Sequence, residues 1–269
     1  MWDPAVYRRF GAERSRPFFD LVARIGADRP GAVTDLGCGP GELTRTLAER
    51  WPAARVTGVD SSPEMIEKAV APGGPVDFRL GDVREWTPGS DVDVLVTNAV
   101  LQWVPGHRDL LARWAAELPA GAWLAMQVPG NFDAPSHRIL RRLADARGAG
   151  HVTRQAPVDE PEGYANLLLA AGATVDAWST TYLHLLPDDG PEHPVLRWLE
   201  GTALRPVKAV LEENAWRDLR VDLGRELAAA YPVAHGYVAF PFRRVFVVAR
   251  TAAQRSVTPD PDHRPEGTS

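Results

Sequence analysis

Cysteine is nearly absent: Cys38 is the only one in 269 residues. That excludes an internal disulfide framework and any multi-cysteine metal site, and it agrees with a reducing compartment. Basic runs are missing too. Lys and Arg number 30 against 35 Asp and Glu, a formal net charge of −5, so no electropositive stripe is available for a phosphate backbone. No uninterrupted apolar stretch approaches the roughly 18–20 residues of a membrane span. The opening MWDPAVYRRF lacks a basic segment followed by an apolar core, so no secretory signal is expected and a cytoplasmic location is the expectation. The seven histidines show no His-x-x-x-His spacing, and no metal site is expected. His107 and His137 read as surface or capping residues. What remains is ordinary globular usage, 45% hydrophobic and 24% charged, long enough for one large core. A small-molecule substrate suits it better than nucleic acid or a membrane, and a monomer or weak homodimer is expected.

Strand-like and helix-like runs alternate through the first half. Residues 1–30 read as an N-terminal helical lid in two pieces, the second carrying an apolar stripe of Phe18, Phe19, Leu21, Val22 and Ile25. Within a core over residues 31–130, short β-branched runs predict strands at 32–36, 55–60, 76–80, 93–97 and 121–128. Helices are predicted between them at about 41–50 and 108–118, with one more capped by Ser62 or Ser61. This alternation implies a doubly wound α/β fold with a parallel sheet and right-handed crossovers. After Pro129 the period breaks. Residues 131–242 read as a helical cap, with helices at about 134–148, 161–171, 191–201 and 207–230 and one strand at about 174–185. A final core strand is expected within 243–250, and a polar, disordered tail over 251–269.

The sharpest motif is Asp35-Leu36-Gly37-Cys38-Gly39-Pro40-Gly41-Glu42, placed after a strand and before a helix. Glycine there permits positive φ and close approach of backbone to a ligand. Asp60 ends the next strand, where a carboxylate can accept from two ribose hydroxyls. A dinucleotide fingerprint counted from Gly37 requires glycine at its sixth position, where Glu42 stands. An acid at a helix N-terminus also competes with pyrophosphate for the positive dipole end. S-adenosylmethionine carries no phosphate, and its ammonium, carboxylate and sulfonium suit this loop better. Cys38 is explained by its small size rather than as a nucleophile.

The DLGCGPG loop, the GVDSS strand end and the GDV segment resemble the motifs of class I S-adenosylmethionine-dependent methyltransferases. The resemblance implies a Rossmann-like seven-stranded sheet with the last strand antiparallel and the cap inserted after strand five. It also implies roles by position. Asp35, Gly37, Gly39 and Asn98 would meet the methionine moiety and Asp60 the ribose. Ser61 and Met65 would flank the adenosine, Asp82 would reach the adenine amine, and Val83 would offer backbone to the ring.

The rest of residues 2–250 is similar to the trans-aconitate 2-methyltransferase family. The resemblance is carried by Trp2-Asp3-Pro4, Glu13-Arg14-Ser15-Arg16-Pro17, Leu101-Gln102-Trp103-Val104-Pro105, Trp178 to Tyr182 with His184, and Gly201 to Pro206. It implies methyl transfer from S-adenosylmethionine to one carboxylate of trans-aconitate or a close polycarboxylate, giving a monomethyl ester and S-adenosylhomocysteine. A carboxylate is ionised at neutral pH and already carries the attacking lone pair, so no general base and no catalytic residue beyond positioning is expected. Substrate contacts are expected from Arg14, Arg16, Gln102, Trp103, Tyr182, His184 and Arg205, with Gln102 as a hydrogen-bond donor. The rival readings are a methyltransferase for another metabolite and a non-catalytic S-adenosylmethionine-binding protein.

Overall fold

The computed structural model describes residues 11–252, with side chains from residue 15 onward. The first piece of the expected lid, and the Arg14 side chain, lie outside what is described. Helix α1 (Gly11–Val22) leads into strand β1 (Ala32–Leu36), helix α2 (Glu42–Arg50), β2 (Arg55–Asp60), α3 (Pro63–Val70), β3 (Asp77–Leu80) and β4 (Val94–Asn98). Then come α4 (His107–Glu117), β5 (Trp123–Pro129), α5 (Pro135–Asp145), α6 (Pro161–Ala170) and β6 (Thr174–Pro187). The described chain ends with α7 (Pro194–Glu200), α8 (Leu204–Val210), α9 (Glu213–Ala230), β7 (Val233–Ala234) and β8 (Tyr237–Arg250).

The strands lie in the order β3-β2-β1-β4-β5-β8-β6. The first five pair in parallel, and β8 runs antiparallel to both β5 and β6. Two-residue β7, absent from the sequence expectation, pairs with the start of β8. The chain diverges between β1 and β4, and at such a switch point α/β sheets open a crevice beyond the strand carboxyl ends. Both sheet faces are covered. Val33, Val94, Val96, Ala125, Phe246 and Val248 face α1 and α2, while Leu36, Leu95, Leu124, Met126, Val245 and Val247 face α4 and α6. Alternate residues thus serve opposite layers, which is why these strands read as continuous apolar runs.

Four further details differ from the sequence reading. Phe19 is 48% exposed, because it falls one position off the helical stripe of Phe18, Leu21 and Val22. The expected helix over 207–230 is two helices, with Leu211 (φ −88, ψ 139) and Glu212 (φ −62, ψ 152) extended between them. The break lets Leu204 and Val207 join Trp216 and Leu219 in one cluster. Strand β8 is twice the expected length. Its first half alternates exposed and buried residues, and Pro241 is tolerated because β8 has passed the end of β5 there and pairs only with β6. Finally, Thr251 belongs to the fold rather than to a tail. It is buried, and its Oγ1 donates to the Pro119 carbonyl at 2.5 Å.

The extended ends of β6 and β8 form a two-stranded arm. Leu186, Val238, Phe240 and Phe242 on it pack with α5, α7, α8 and α9 in a third core. That helical layer lies beside the carboxyl edge of the sheet, and the site lies between them.

Candidate active site

Strand β1 delivers the chain to the glycine loop at the switch point. Gly37 has φ +76°, and a Cβ there would sit 2.1 Å from Val100 Cγ2. Gly39 (φ +55°) has nothing within 4 Å of where its Cβ would be. One glycine is therefore demanded by packing, while the other leaves open space for a ligand to touch backbone. Asp60, at the end of β2, fixes the loop: Gly39 N–H donates to its Oδ2 at 2.9 Å and Ser62 N–H to its Oδ1 at 2.9 Å. Ser62 in turn caps α3, accepting from Met65 N–H at 3.4 Å.

Two adjoining cavities open here. The larger, of about 830 Å³, is lined by Gly37, Gly39, Asp60, Met65 and Asn98 on the sheet side and by α5, α7 and α8 on the other. The smaller, of about 460 Å³, is lined by Asp60, Ser61, Asp82, Val83 and Val100. Gly37, Asp60, Ala99 and Trp103 border both. Ala99 has φ 57°, a left-handed backbone that costs a non-glycine residue about 1–3 kcal/mol. It is held by its N–H donating to Gln127 O at 2.8 Å and its carbonyl accepting from Gln102 Nε2 at 2.6 Å. The Asn98 Oδ1 and Gln102 Oε1 atoms are buried and have no hydrogen-bond partner. Buried acceptors left open at a cavity wall are costly unless a ligand donates to them.

Charge is divided along the larger cavity. Glu42 and Asp60 stand at the glycine-loop end. Arg141, Arg154 and Arg244 gather past the end of β5. Arg154 Nη1 donates to Pro129 O at 3.1 Å, Arg141 Nη1 to Phe132 O at 2.5 Å, and Arg244 Nη1 to Gln127 Oε1 at 3.4 Å. His137 stands among them. Burial, and then the charges of Arg154 and Arg141, push its imidazole down to about 3, so it is neutral at physiological pH.

Residues 33–121 match the family described as "Methyltransferase domain". The trans-aconitate 2-methyltransferase of Mycolicibacterium gilvum (strain PYR-GCK) is 54% identical over 257 residues, covering 93% of this chain and 99% of the relative. That of Mycobacterium tuberculosis (strain ATCC 25177 / H37Ra) is 48% identical over 262 residues, covering 95% and 98%. The chain belongs to the trans-aconitate 2-methyltransferase family. Among solved structures, the YcgJ protein of Bacillus subtilis matches with TM-score 0.60 at 13% identity over 88% of this chain and 98% of that one. A Haemonchus contortus phosphoethanolamine N-methyltransferase 2 in complex with S-adenosyl-L-methionine matches with TM-score 0.52 at 16% identity, over 89% and 53%. At these identities the likeness is one of fold.

In this methyltransferase-family chain, the residues expected at a methyl donor are mostly brought together. Gly37, Gly39, Asp60, Met65 and Asn98 line the larger cavity, and Ser61, Asp82 and Val83 the smaller. Asp82 is gripped by Arg84, whose Nε and backbone N–H both donate to Oδ1, at 3.0 and 2.8 Å. These bonds hold its carboxyl down at about 2. Asp35 is the exception. Its side chain is buried behind the loop, accepts from Thr44 Oγ1 at 2.7 Å and lines neither cavity. Burial pushes it up to about 6, against the lowering effect of Thr44. Cys38 is buried, and burial followed by the charges of Asp35 and Asp60 raises its thiol far above the usual range, so it is inert.

The expected substrate residues divide more sharply. Gln102 and Trp103 line the cavity; Gln102 gives one amide N–H to Ala99 O, keeps a second, and leaves its Oε1 buried without a partner. Arg205 lines the cavity, yet it is exposed and stands on the α3 side rather than among the other arginines: the Glu64 carboxyl of α3 is lowered chiefly by Lys68, with a smaller contribution from Arg205. Arg16 does not reach the site: it packs over the Tyr182 ring at 5.2 Å and faces Asp20. Tyr182 donates its hydroxyl to Asp20 Oδ2 at 2.7 Å, and His184 stacks on Trp198 with centroids 4.6 Å apart. Both are buried in the arm and line neither cavity, because they point to the packed side of β6. His107 is half-buried against Tyr164, with Nε2 2.8 Å from its hydroxyl, rather than a surface residue. Among the described residues no cluster of potential metal ligands is present, and no helix is long and apolar enough to cross a membrane.

Sequence reasoning missed Arg141, Arg154, Arg244 and His137. They come from α5, a loop and β8, more than 100 positions apart at the extremes. The one local signal was apolar-strand punctuation by Arg244 at the point where β8 leaves β5.

Proposed function

We propose that this chain transfers the methyl group of S-adenosylmethionine to one carboxylate of trans-aconitate. The observation that carries the reading is the division of charge in one cavity: Glu42 and Asp60 at the glycine-loop end, with Arg205 exposed at its rim, and three arginines at the other. A cationic donor and a polyanionic acceptor call for that opposition.

The donor end fits S-adenosylmethionine. Gly39 leaves backbone accessible where a Cβ would stand in open space, and Asn98 Oδ1 is a buried acceptor without a donor, suited to an ammonium. Each Asp60 oxygen accepts one backbone N–H and keeps a lone pair for a ribose hydroxyl. The smaller cavity, with Asp82 and Val83, suits the adenine. Bound there, S-adenosylmethionine supplies a methyl group made electrophilic by its sulfonium.

A substrate carboxylate oxygen then forms the O–CH₃ bond with its own lone pair as the C–S bond breaks. The C–S pair stays on sulfur, giving a monomethyl ester and S-adenosylhomocysteine. No proton moves, so no base is needed. His137, neutral and buried, is not asked to act as one. The protein's part is to strip water from the anion, align it and offset that desolvation with fixed guanidinium donors. Orientation of this kind supplies about 7–11 kcal/mol in favourable cases.

The test is turnover. Purified protein with labelled S-adenosylmethionine and trans-aconitate is expected to yield a labelled monomethyl ester detected by mass spectrometry. Absence of product from any tricarboxylate, with the donor bound, overturns the proposal.

A further inference from the structure

Arg154 holds its charge in an unusual setting. Its side chain is largely enclosed, and burial is the main influence lowering its affinity for a proton. Among the described residues it has no carboxylate within ion-pair distance. Only Nη1 is used, donating to the Pro129 carbonyl at 3.1 Å. Nε and Nη2 are buried and have no hydrogen-bond partner. Leaving two donors of a buried cation open is costly unless something absent from the free protein fills them.

The pattern of used and open donors is informative. Nε and Nη2 share the side edge of the guanidinium, where two parallel N–H groups match both oxygens of one carboxylate. Nη1 lies off that edge, so the Pro129 carbonyl steers the group and leaves the fork open. The loop carrying it is also fixed: Thr153 Oγ1 donates to Gly150 O at 2.7 Å and Gln155 Nε2 to the same carbonyl at 2.8 Å. Phe132 is shared by two like charges, with the Arg141 guanidinium 3.6 Å and the Arg154 guanidinium 5.7 Å from its ring centroid. Cation–π attraction there offsets part of their repulsion and spaces the two arginines.

We infer that Arg154 is the bidentate anchor for a substrate carboxylate that is not methylated, with Phe132 setting its distance from a second cation, Arg141. The inference rests on the carboxylate-methylation reading above and adds the residue that counts carboxylates. A substrate with a carboxylate to spare for Arg154 is held; one without leaves a buried cation unpaired. Methylation removes one negative charge elsewhere on the acid, so the anchored group persists in the product.

The experiment is calorimetric titration of the full chain, saturated with S-adenosylhomocysteine, with trans-aconitate and with diacids that each lack one of its three carboxylates. Arg154→Gln is expected to weaken trans-aconitate on the order of 100-fold, with S-adenosylhomocysteine affinity unchanged. It is also expected to abolish discrimination between trans-aconitate and the one diacid missing the anchored group. A purely structural role would weaken every acid by the same factor, and that result overturns the inference. Arg154→Lys keeps the charge without the fork and serves as well if the glutamine variant does not fold. It is expected to recover only part of the affinity, and full affinity overturns bidentate anchoring. If the wild type binds no tricarboxylate, the substrate reading falls and this inference with it. If the wild type binds and both variants bind equally well, only the inference falls.

Discussion

The two ends of the cavity are built in opposite ways. The donor end is a local product of sequence: a strand, a glycine turn, and an acid at the next strand end, with consecutive elements supplying consecutive contacts. The arginine end is assembled from residues 132–141, 154 and 244, which meet only because β8 returns antiparallel to β5 and α5 folds over its end. A superfamily's shared chemistry can be written in a short motif. On the proposed reading the choice of acceptor depends on tertiary packing, and along the chain the arginines are merely scattered.

The largest expected effect breaks the donor end. Asp60→Ala removes the two oxygens proposed to accept from ribose and also the bridge between Gly39 and Ser62. S-adenosylhomocysteine affinity should fall by on the order of 100- to 1000-fold, read by calorimetry, with acid specificity unaltered at saturating donor. Unchanged affinity would show that the acid serves the loop alone.

The glycines sharpen the contrast within that end. Gly37→Ala drives a methyl into Val100 at positive φ, and should cost roughly 2–4 kcal/mol of stability in denaturant unfolding. Gly39→Ala meets no atom within 4 Å in the free protein. It should lose no more than about 1–2 kcal/mol of stability from its backbone angle and show its main effect as weaker donor binding. The reverse pattern would mean that Gly39 packs against protein rather than ligand.

Asp35 gives a pH signature. Its carboxyl is raised from an ordinary 3.8 to about 6 in the fold, so the folded state takes up its proton more readily than the unfolded chain. The stability it confers is complete below about 4 and is lost as pH rises through about 6. Asp35→Asn should therefore gain stability relative to the wild type between pH 4 and 7, by at most about 3 kcal/mol. A difference that does not change with pH would contradict the shift.

The smallest effects lie at arginines named from family motifs. Arg205→Ala, at an exposed rim position, should raise the acid KM only a few-fold. Arg16→Ala should leave it unchanged, since Arg16 rests on Tyr182 and Asp20. A loss at Arg16 as large as that at Arg154 would invert the account.

These contrasts bear on what was legible. The doubly wound core, the strand ends carrying Asp60 and Asn98, the turn after β3 carrying Asp82, and the Ser62 cap were written in local patterns of period and turn chemistry. The length of β8 was obscured by Pro241, whose tolerance depends on where β5 stops. Tyr182 and His184 alternate correctly on one face of β6, but alternation cannot say whether that face meets solvent, a cavity or, as here, packed aromatic rings. Arg154 lies in a loop with no motif, and its open fork exists only once Pro129 and Phe132 are beside it.

A cationic donor and a polycarboxylate are proposed to share one cavity with opposed charges at its ends. A crystal structure of the complex with S-adenosylhomocysteine and trans-aconitate tests this most directly. The expected result has the ribose on Asp60, one carboxylate on the side edge of Arg154 and a different carboxylate facing the sulfur. A tricarboxylate bound away from Arg141, Arg154 and Arg244, or with the Arg154 fork still empty, would contradict it.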